Sequence, residues 1–279
     1  MSKPRDFLAR LFTLYLPLTV FLVFVLVPIL WTLLTSLKTE REVLSGAAHL
    51  FPTMPTLGNY AEVWAQGSFS TYFLNSIFVS LTSVIFISTM SVMNGYALSR
   101  FRFRGKQAFM IVLLCTQLLP AVIFLVPLFM TFKAFHLINT PFSLIIFYTA
   151  MQAPFSTLLM KGFISNIPRQ IDEAAMIDGA SRGTIIFKIV MPLAVPGLVA
   201  TAAFAFIGCW NEFIAAFTLI SSNKFFTVPV GLKFMIGEYD VSYASLAAGS
   251  VIALVPAILL FAYIQRYLVE GLGSGSVKG

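Results

Sequence analysis

Ile167-Pro168-Arg169-Gln170-Ile171-Asp172-Glu173-Ala174-Ala175-Met176-Ile177-Asp178-Gly179 is a polar, helix-forming island in an otherwise mostly apolar chain of 279 residues. Pro is tolerated in the first turn of a helix, so Ile167-Pro168 reads as a start signal. Asp172 and Glu173 then lie near the positive end of the helix dipole. Ile171, Ala174, Ala175 and Asp178 recur at i, i+3, i+4 and i+7, which puts them on one face, most of it apolar or small. Gly179 reads as a left-handed stop. Ser181 is placed to cap a second short helix, and Pro192 limits how far that helix runs. The pair reads as a docking piece whose movement the rest of the chain carries into a membrane pathway.

The surrounding composition is that of a polytopic helical membrane protein, with 58% hydrophobic and 10% charged residues. The net charge of +7 does not point to nucleic acid, because the basic residues are dispersed in short segments between apolar spans. Cys115 and Cys209 both fall inside apolar spans without metal-ligand spacing and read as buried small hydrophobes. His49 and His136 read as solvated loop residues. No phosphate-binding GxxxxGK[ST] pattern, Ser/His/Asp arrangement or metal cluster occurs, so catalysis by this chain is not expected.

A membrane helix needs about 20 apolar residues to cross a core of about 30 Å. Six stretches qualify: Leu11 to Leu37, Ser70 to Ser99, Gln107 to Phe132, Leu137 to Met160, Gly197 to Ser221 and Val241 to Gln265. The first follows Lys3, Arg5 and Arg10, is too long for a signal peptide and lacks a cleavage site; it reads as an uncleaved span. Thirteen Lys and Arg residues fall on the side of both termini and the Glu173 segment, against five on the other. The thirteen side is expected to be cytoplasmic.

Two external segments are long, Lys38 to Phe69 and Asn223 to Asp240, and spans three and four form a tight hairpin near Lys133. Ala244-x3-Ala248 and Gly249-x3-Ala253-x3-Ala257 form small-residue rows on span six, with Ala200, Ala203 and Gly208 on span five. Such rows let helices approach closely in lipid. Bundle packing within the subunit and a subunit interface both fit them. Glu212, in Trp210-Asn211-Glu212, is the one carboxylate inside an apolar span, about 22 Å along a continuous helix at about 1.5 Å per residue. Two readings stand: a polar lining of a solute path, with Trp210 offering a flat face to a sugar ring, or an interhelical hydrogen-bond anchor.

Glu173-Ala174-Ala175-x3-Gly179-x9-Ile189-x-Met191-Pro192 resembles the E-A-A-x3-G-x9-I-x-L-P signature of permease subunits of bacterial ABC importers. The departure is Met191 for Leu, which keeps volume and apolarity. Ser36-Leu37-Lys38-Thr39, Asn59-Tyr60, Tyr96-Ala97-Leu98-Ser99-Arg100-Phe101, Trp210-Asn211-Glu212-Phe213 and the terminal Gln265-Arg266 to Gly271-Leu272 with Ser276-Val277-Lys278-Gly279 extend the resemblance to carbohydrate permeases of the MalG type.

The resemblance implies an all-α integral membrane fold, the six-helix type I ABC importer (MetI-like) transmembrane domain over 11–266. A cytoplasmic segment, 1–10, precedes it; a coupling segment, 162–196, lies within it; a cytoplasmic tail, 267–279, follows. It implies four kinds of partner: a second, MalF-like permease, two copies of a cytoplasmic ATPase, an extracytoplasmic solute-binding protein and membrane lipid. This chain is expected to bind no cofactor, ATP and Mg being held on the partner subunits.

Glu173, Ala174, Ala175, Asp178, Gly179, Ile189 and Pro192 would couple to the ATPase. Trp210, Asn211 and Glu212 are candidates for the translocation path, and Pro229, Gly231, Lys233 and Gly237 for contact with the binding protein. The implied function is ATP-driven import of a sugar or oligosaccharide across the bacterial inner membrane. The alternatives are a polyol, glycerol phosphate or other small solute on the same architecture, or a proton-coupled carrier using Glu212.

Overall fold

Uncharged apolar runs can satisfy their backbone in lipid only by pairing it within the segment, and here they become helices. The computed structural model describes residues 10–45, 49–66, 68–237 and 241–273. Residues 1–9 with Lys3 and Arg5, and 274–279 of the expected tail, lie outside the described residues. In chain order the helices are α1 (Leu11–Ser36), α2 (Glu40–Leu44), α3 (Gly58–Gln66), α4 (Phe69–Arg100), α5 (Lys106–Leu118), α6 (Val122–Ala134), α7 (Pro141–Ser165), α8 (Arg169–Ile177), α9 (Arg182–Leu193), α10 (Val195–Trp210), α11 (Ile214–Leu219), α12 (Val228–Met235) and α13 (Tyr243–Gly273).

By length and composition α1, α4, α7 and α13 can each cross a membrane. Two bent pairs raise the number to six when each is counted as one span. The sequence reading of the spans therefore needs correcting in four places. Span three is a pair, α5 and α6, bent by 100°. Pro120 disfavours helical backbone at the residue before it, and Leu119 is extended, with ψ 128°. Span five does not run from Gly197 to Ser221: α10 ends at Trp210 and α11 restarts at Ile214. A further bend of 84° separates α9 from α10. Span four is shifted to Pro141–Ser165, and the last helix continues past its expected end, to Gly273.

The chain divides into two compact units. The first comprises Met1–Phe69 and Leu232–Leu254. Within it the Asn59 carboxamide donates to the carbonyls of Ser36 at 2.7 Å and Lys38 at 2.8 Å, fixing α3 against the end of α1. The Glu40 carboxylate accepts from the amides of Tyr243 at 3.1 Å and Ala244 at 2.9 Å and from the Ser242 hydroxyl at 2.9 Å. A negative charge at a helix start is favourable both as a cap and against the dipole. Ala244 and Ala248 are fully buried. The side chains of α1 from Leu11 to Trp31 are all exposed.

The second unit comprises Ser70–Gly231 and Val255–Gly279. Its helices meet at small residues. A Cβ on Gly95 would lie 2.9 Å from the Lys161 backbone nitrogen, so α4 and α7 touch nearly backbone to backbone. A Cβ on Gly197 would lie 2.2 Å from the Phe163 ring, so α10 closes on α7 by the same device. Ala200 and Ala203, with Phe204 and Ile207, face Leu260, Phe261 and Ile264 across an apolar groove. Cys209 is buried as expected, whereas Cys115 is exposed: it ends the apolar run 108–115 of α5, most of whose side chains are exposed.

Candidate functional site

The short helix pair forms as its local signals dictate. Pro168 is extended, with ψ 135°, and α8 starts after it. At the other end Gly179 is left-handed, with φ +79°. The Gly179 amide donates to the Met176 carbonyl at 3.1 Å and the Ala180 amide to Ala175 at 2.9 Å. These are the two bonds of a Schellman stop. Ser181 then accepts from the Thr184 amide at 3.2 Å and caps α9, which contains a π-helical turn over Ile185–Val190 and ends one residue beyond Pro192.

The face shared by Ile171, Ala174, Ala175 and Asp178 is not buried as a unit. Ala175 and Asp172 are buried and Ile171 is partly so, while Ala174 and Asp178 are exposed. The cause is Arg100, the last residue of α4. Its guanidinium grips the Asp172 carboxylate with two bonds, Nε to Oδ2 at 2.9 Å and Nη2 to Oδ1 at 3.2 Å. Each side chain is only 6% exposed. Pairing turns a carboxylate into an interior residue, which a count of apolar positions does not anticipate.

The neighbours of Arg100 complete the mount. Arg169 donates to the Ser99 carbonyl at 2.8 Å, and the Arg182 guanidinium lies 4.8 Å from the centre of the Phe101 ring. Three consecutive residues of α4 and its end thus receive Arg169, Asp172 and Arg182. Behind them Val92, Tyr96, Met160, Ile164, Ala175, Ile185, Val190 and Ala194 form one apolar cluster, with Ile189 packed against it. What remains outside is a crest of Glu173, Ala174, Met176 and Ile177, with Ile177 87% exposed. Pro192 is exposed on α9.

Glu212 occupies the break between α10 and α11. Its Oε1 accepts from the Ala215 amide at 2.8 Å, and its Oε2 accepts from the Ala216 amide and the Tyr148 hydroxyl, both at 3.1 Å. The carboxylate therefore caps α11 and ties it to α7, an arrangement that favours the anchor reading. Trp210 offers no face to a ring: it is 3% exposed, stacked on Phe206 and edge-on to Phe73. Asn211 is exposed.

Glu212→Gln leaves one oxygen for three donors and is expected to cost about 1–3 kcal/mol, read as a lower thermal midpoint in detergent. An unchanged midpoint with altered solute selectivity would instead assign Glu212 to the path.

The segment expected as a binding-protein loop is largely helical. Asn75 holds it by donating to the carbonyls of Lys224 at 2.9 Å and Phe226 at 3.0 Å. Gly231 is buried under Tyr72, whose ring would lie 2.3 Å from a Cβ there, so it is not available for contact. Pro229 is half-buried, while Lys233 and Gly237 are exposed. Residues 238–240 lie outside the described residues. Among the described residues no His, Cys, Asp and Glu group could hold a metal ion.

The model of a family described as binding-protein-dependent transport system inner membrane component matches residues 91–273. The chain is 34% identical to the sulfoquinovosyl glycerol transport system permease protein SmoH of Agrobacterium fabrum, covering 100% of this chain and 95% of that protein. It is 33% identical to the diacetylchitobiose uptake system permease protein NgcG of Streptomyces coelicolor, covering 92% and 85%. It is 32% identical to the galactooligosaccharides transport system permease protein GanQ of Bacillus subtilis, covering 99% and 98%. Its fold is similar to a chain of a bacterial ABC transporter involved in the import of alginate, with a TM-score of 0.84 and 24% identity over 96% of this chain and 99% of that one.

Proposed function

Because this chain belongs to the family of binding-protein-dependent transport system inner membrane components, we propose that it carries a sugar or oligosaccharide inward while a separate subunit hydrolyses ATP. The chain is a permease of the inner membrane, not an enzyme. The observation that carries the mechanism is the crest of α8: exposed residues stand on a helix whose opposite face is locked to α4 by Arg100–Asp172. A groove in the ATPase would receive Glu173, Ala174 and Ile177, as helix-in-groove recognition requires. Motion of that groove then moves α4 and α7 together, since both contribute to the cluster beneath α8.

The solute class follows from the three named relatives, whose systems carry sugar-containing solutes. This favours a sugar over a polyol or glycerol phosphate. The full assembly would pair this chain with a second permease, two ATPase copies and a solute-binding protein. One solved relative of the fold is in complex with a periplasmic protein holding an alginate pentasaccharide. Both termini and α8 would face the cytosol, as the distribution of Lys and Arg favours. The two broken spans support a pathway beside them. Irregular backbone within lipid depth stands only where protein or water covers it, and Leu118 at the α5–α6 break is 80% exposed.

Reconstitution of the chain with its partner subunits in liposomes tests this reading. Uptake of a labelled oligosaccharide is expected only with internal ATP and external binding protein. Uptake driven by a pH gradient without the ATPase would restore the proton-coupled carrier and remove this proposal.

A further inference from the structure

Thr149, Gln152 and Ser156 stand at i, i+3 and i+7 in the middle of α7, on one stripe about 10 Å long at about 1.5 Å per residue. The hydroxyls of Thr149 and Ser156 are buried and have no hydrogen-bond partner among the described residues. Ser156 is 1% exposed. The same helix satisfies hydroxyls near its ends: Ser143 donates to the Thr140 carbonyl at 2.8 Å and Ser165 to Lys161 at 2.7 Å. The orphaned groups are confined to mid-span.

Gln152 is half-buried and directed at α10. Gly208 leaves the space it fills, since a Cβ there would lie 2.0 Å from the Gln152 Nε2. Its carboxamide is also without a hydrogen-bond partner among the described residues. From α4, Ser83 adds another buried hydroxyl without a partner. Contacts of Gly95 with Met160 and of Ser99 with Ser165 set α4 and α7 in parallel register, which brings Ser83 near the level of Thr149.

Polar groups without partners are costly inside a membrane and stand where a cavity or a ligand meets them. A carboxamide both donates and accepts, as a sugar hydroxyl does. The stripe carries no charge and so fits a neutral ring rather than an anionic one. We propose that Gln152, flanked by Thr149 and Ser156, is the residue through which this subunit hydrogen-bonds a neutral, hydroxyl-bearing solute at mid-membrane. The identity of that solute as a sugar rests on the import function proposed above.

Two measurements on the complete transporter test the assignment. In the first, proteoliposomes are offered galactobiose, arabinotriose and diacetylchitobiose. Gln152→Leu is expected to lower uptake of the imported sugar tenfold or more below saturation, mainly through KM, while Gln152→Asn retains an intermediate KM. Wild-type uptake by Gln152→Leu would overturn the proposal.

In the second, Gln152→Cys in a Cys115→Ser background is treated with a charged, water-soluble methanethiosulfonate. Labelling is expected in at least one nucleotide state, slowed at least twofold by the imported sugar. No labelling in any state would overturn the proposal even if the Leu variant failed to assemble. Labelling combined with no uptake of the three sugars by the wild-type transporter would uphold an aqueous position for Gln152 and overturn the sugar reading instead.

Discussion

Asp172→Ala is expected to unseat α8 and to abolish recovery of the ATPase with the permease. The substitution leaves the Arg100 guanidinium buried without its counter-charge, and breaking such a pair from one side costs about 3–5 kcal/mol. The local structure has little to set against that, because α8 is nine residues long. Proteolysis within residues 177–182 should accelerate by at least tenfold, while α4 and α7 stay inserted. Replacing both partners by apolar residues of similar volume, Arg100→Met with Asp172→Leu, should return most of the protection, since no lone charge is then left behind. Equal protease resistance of Asp172→Ala and wild type would sink the idea that this pair holds the docking helix.

Ile177→Asp is expected to do the converse: leave the permease as stable as before and lose its partner. Ile177 is 87% exposed, and a surface substitution away from packing changes stability by less than about 0.5 kcal/mol. Buried in a groove, an apolar anchor is worth about 2 kcal/mol or more, which is about thirtyfold in affinity. The measurement is ATPase retained on the immobilised permease, set beside the thermal midpoint of the permease alone. Full retention would place the ATPase contact elsewhere on the α8–α9 pair.

The features legible in the sequence were those decided within a few residues. Gly179 as a left-handed stop, Ser181 as a cap and Pro192 near the end of α9 each depend on neighbours one turn away. The apolar runs likewise announced the spans. What was not legible depends on partners far along the chain. Arg100 and Asp172 are separated by 72 residues, and Tyr148 and Glu212 by 64. No periodicity marks either pair, so in the sequence Asp172 reads only as a charge near the positive end of the helix dipole.

The two broken spans failed for different reasons. Pro120 sits at the first break, but the apolar residues on both sides of it make the stretch read as one span. The break at Asn211–Phe213 has neither Gly nor Pro, and exists because Glu212 takes over the first amides of α11. Gln152 carries no signal of its own in the sequence, because one amide in an apolar span is unremarkable until its neighbours prove to be without partners.

The brevity of α8 bears on how fast the transporter can turn over. A nine-residue helix is marginal as a free peptide in water. Ordering its backbone on docking would cost on the order of 10 kcal/mol at about 1–2 kcal/mol per residue. Clamped by Arg100 at one end and closed by the Schellman bonds at the other, it would meet the proposed ATPase already shaped. The entropy of ordering is lost once, when the permease folds, and not again in each catalytic cycle. Binding and release can then be quick and weakly opposed, with the contact surface kept small.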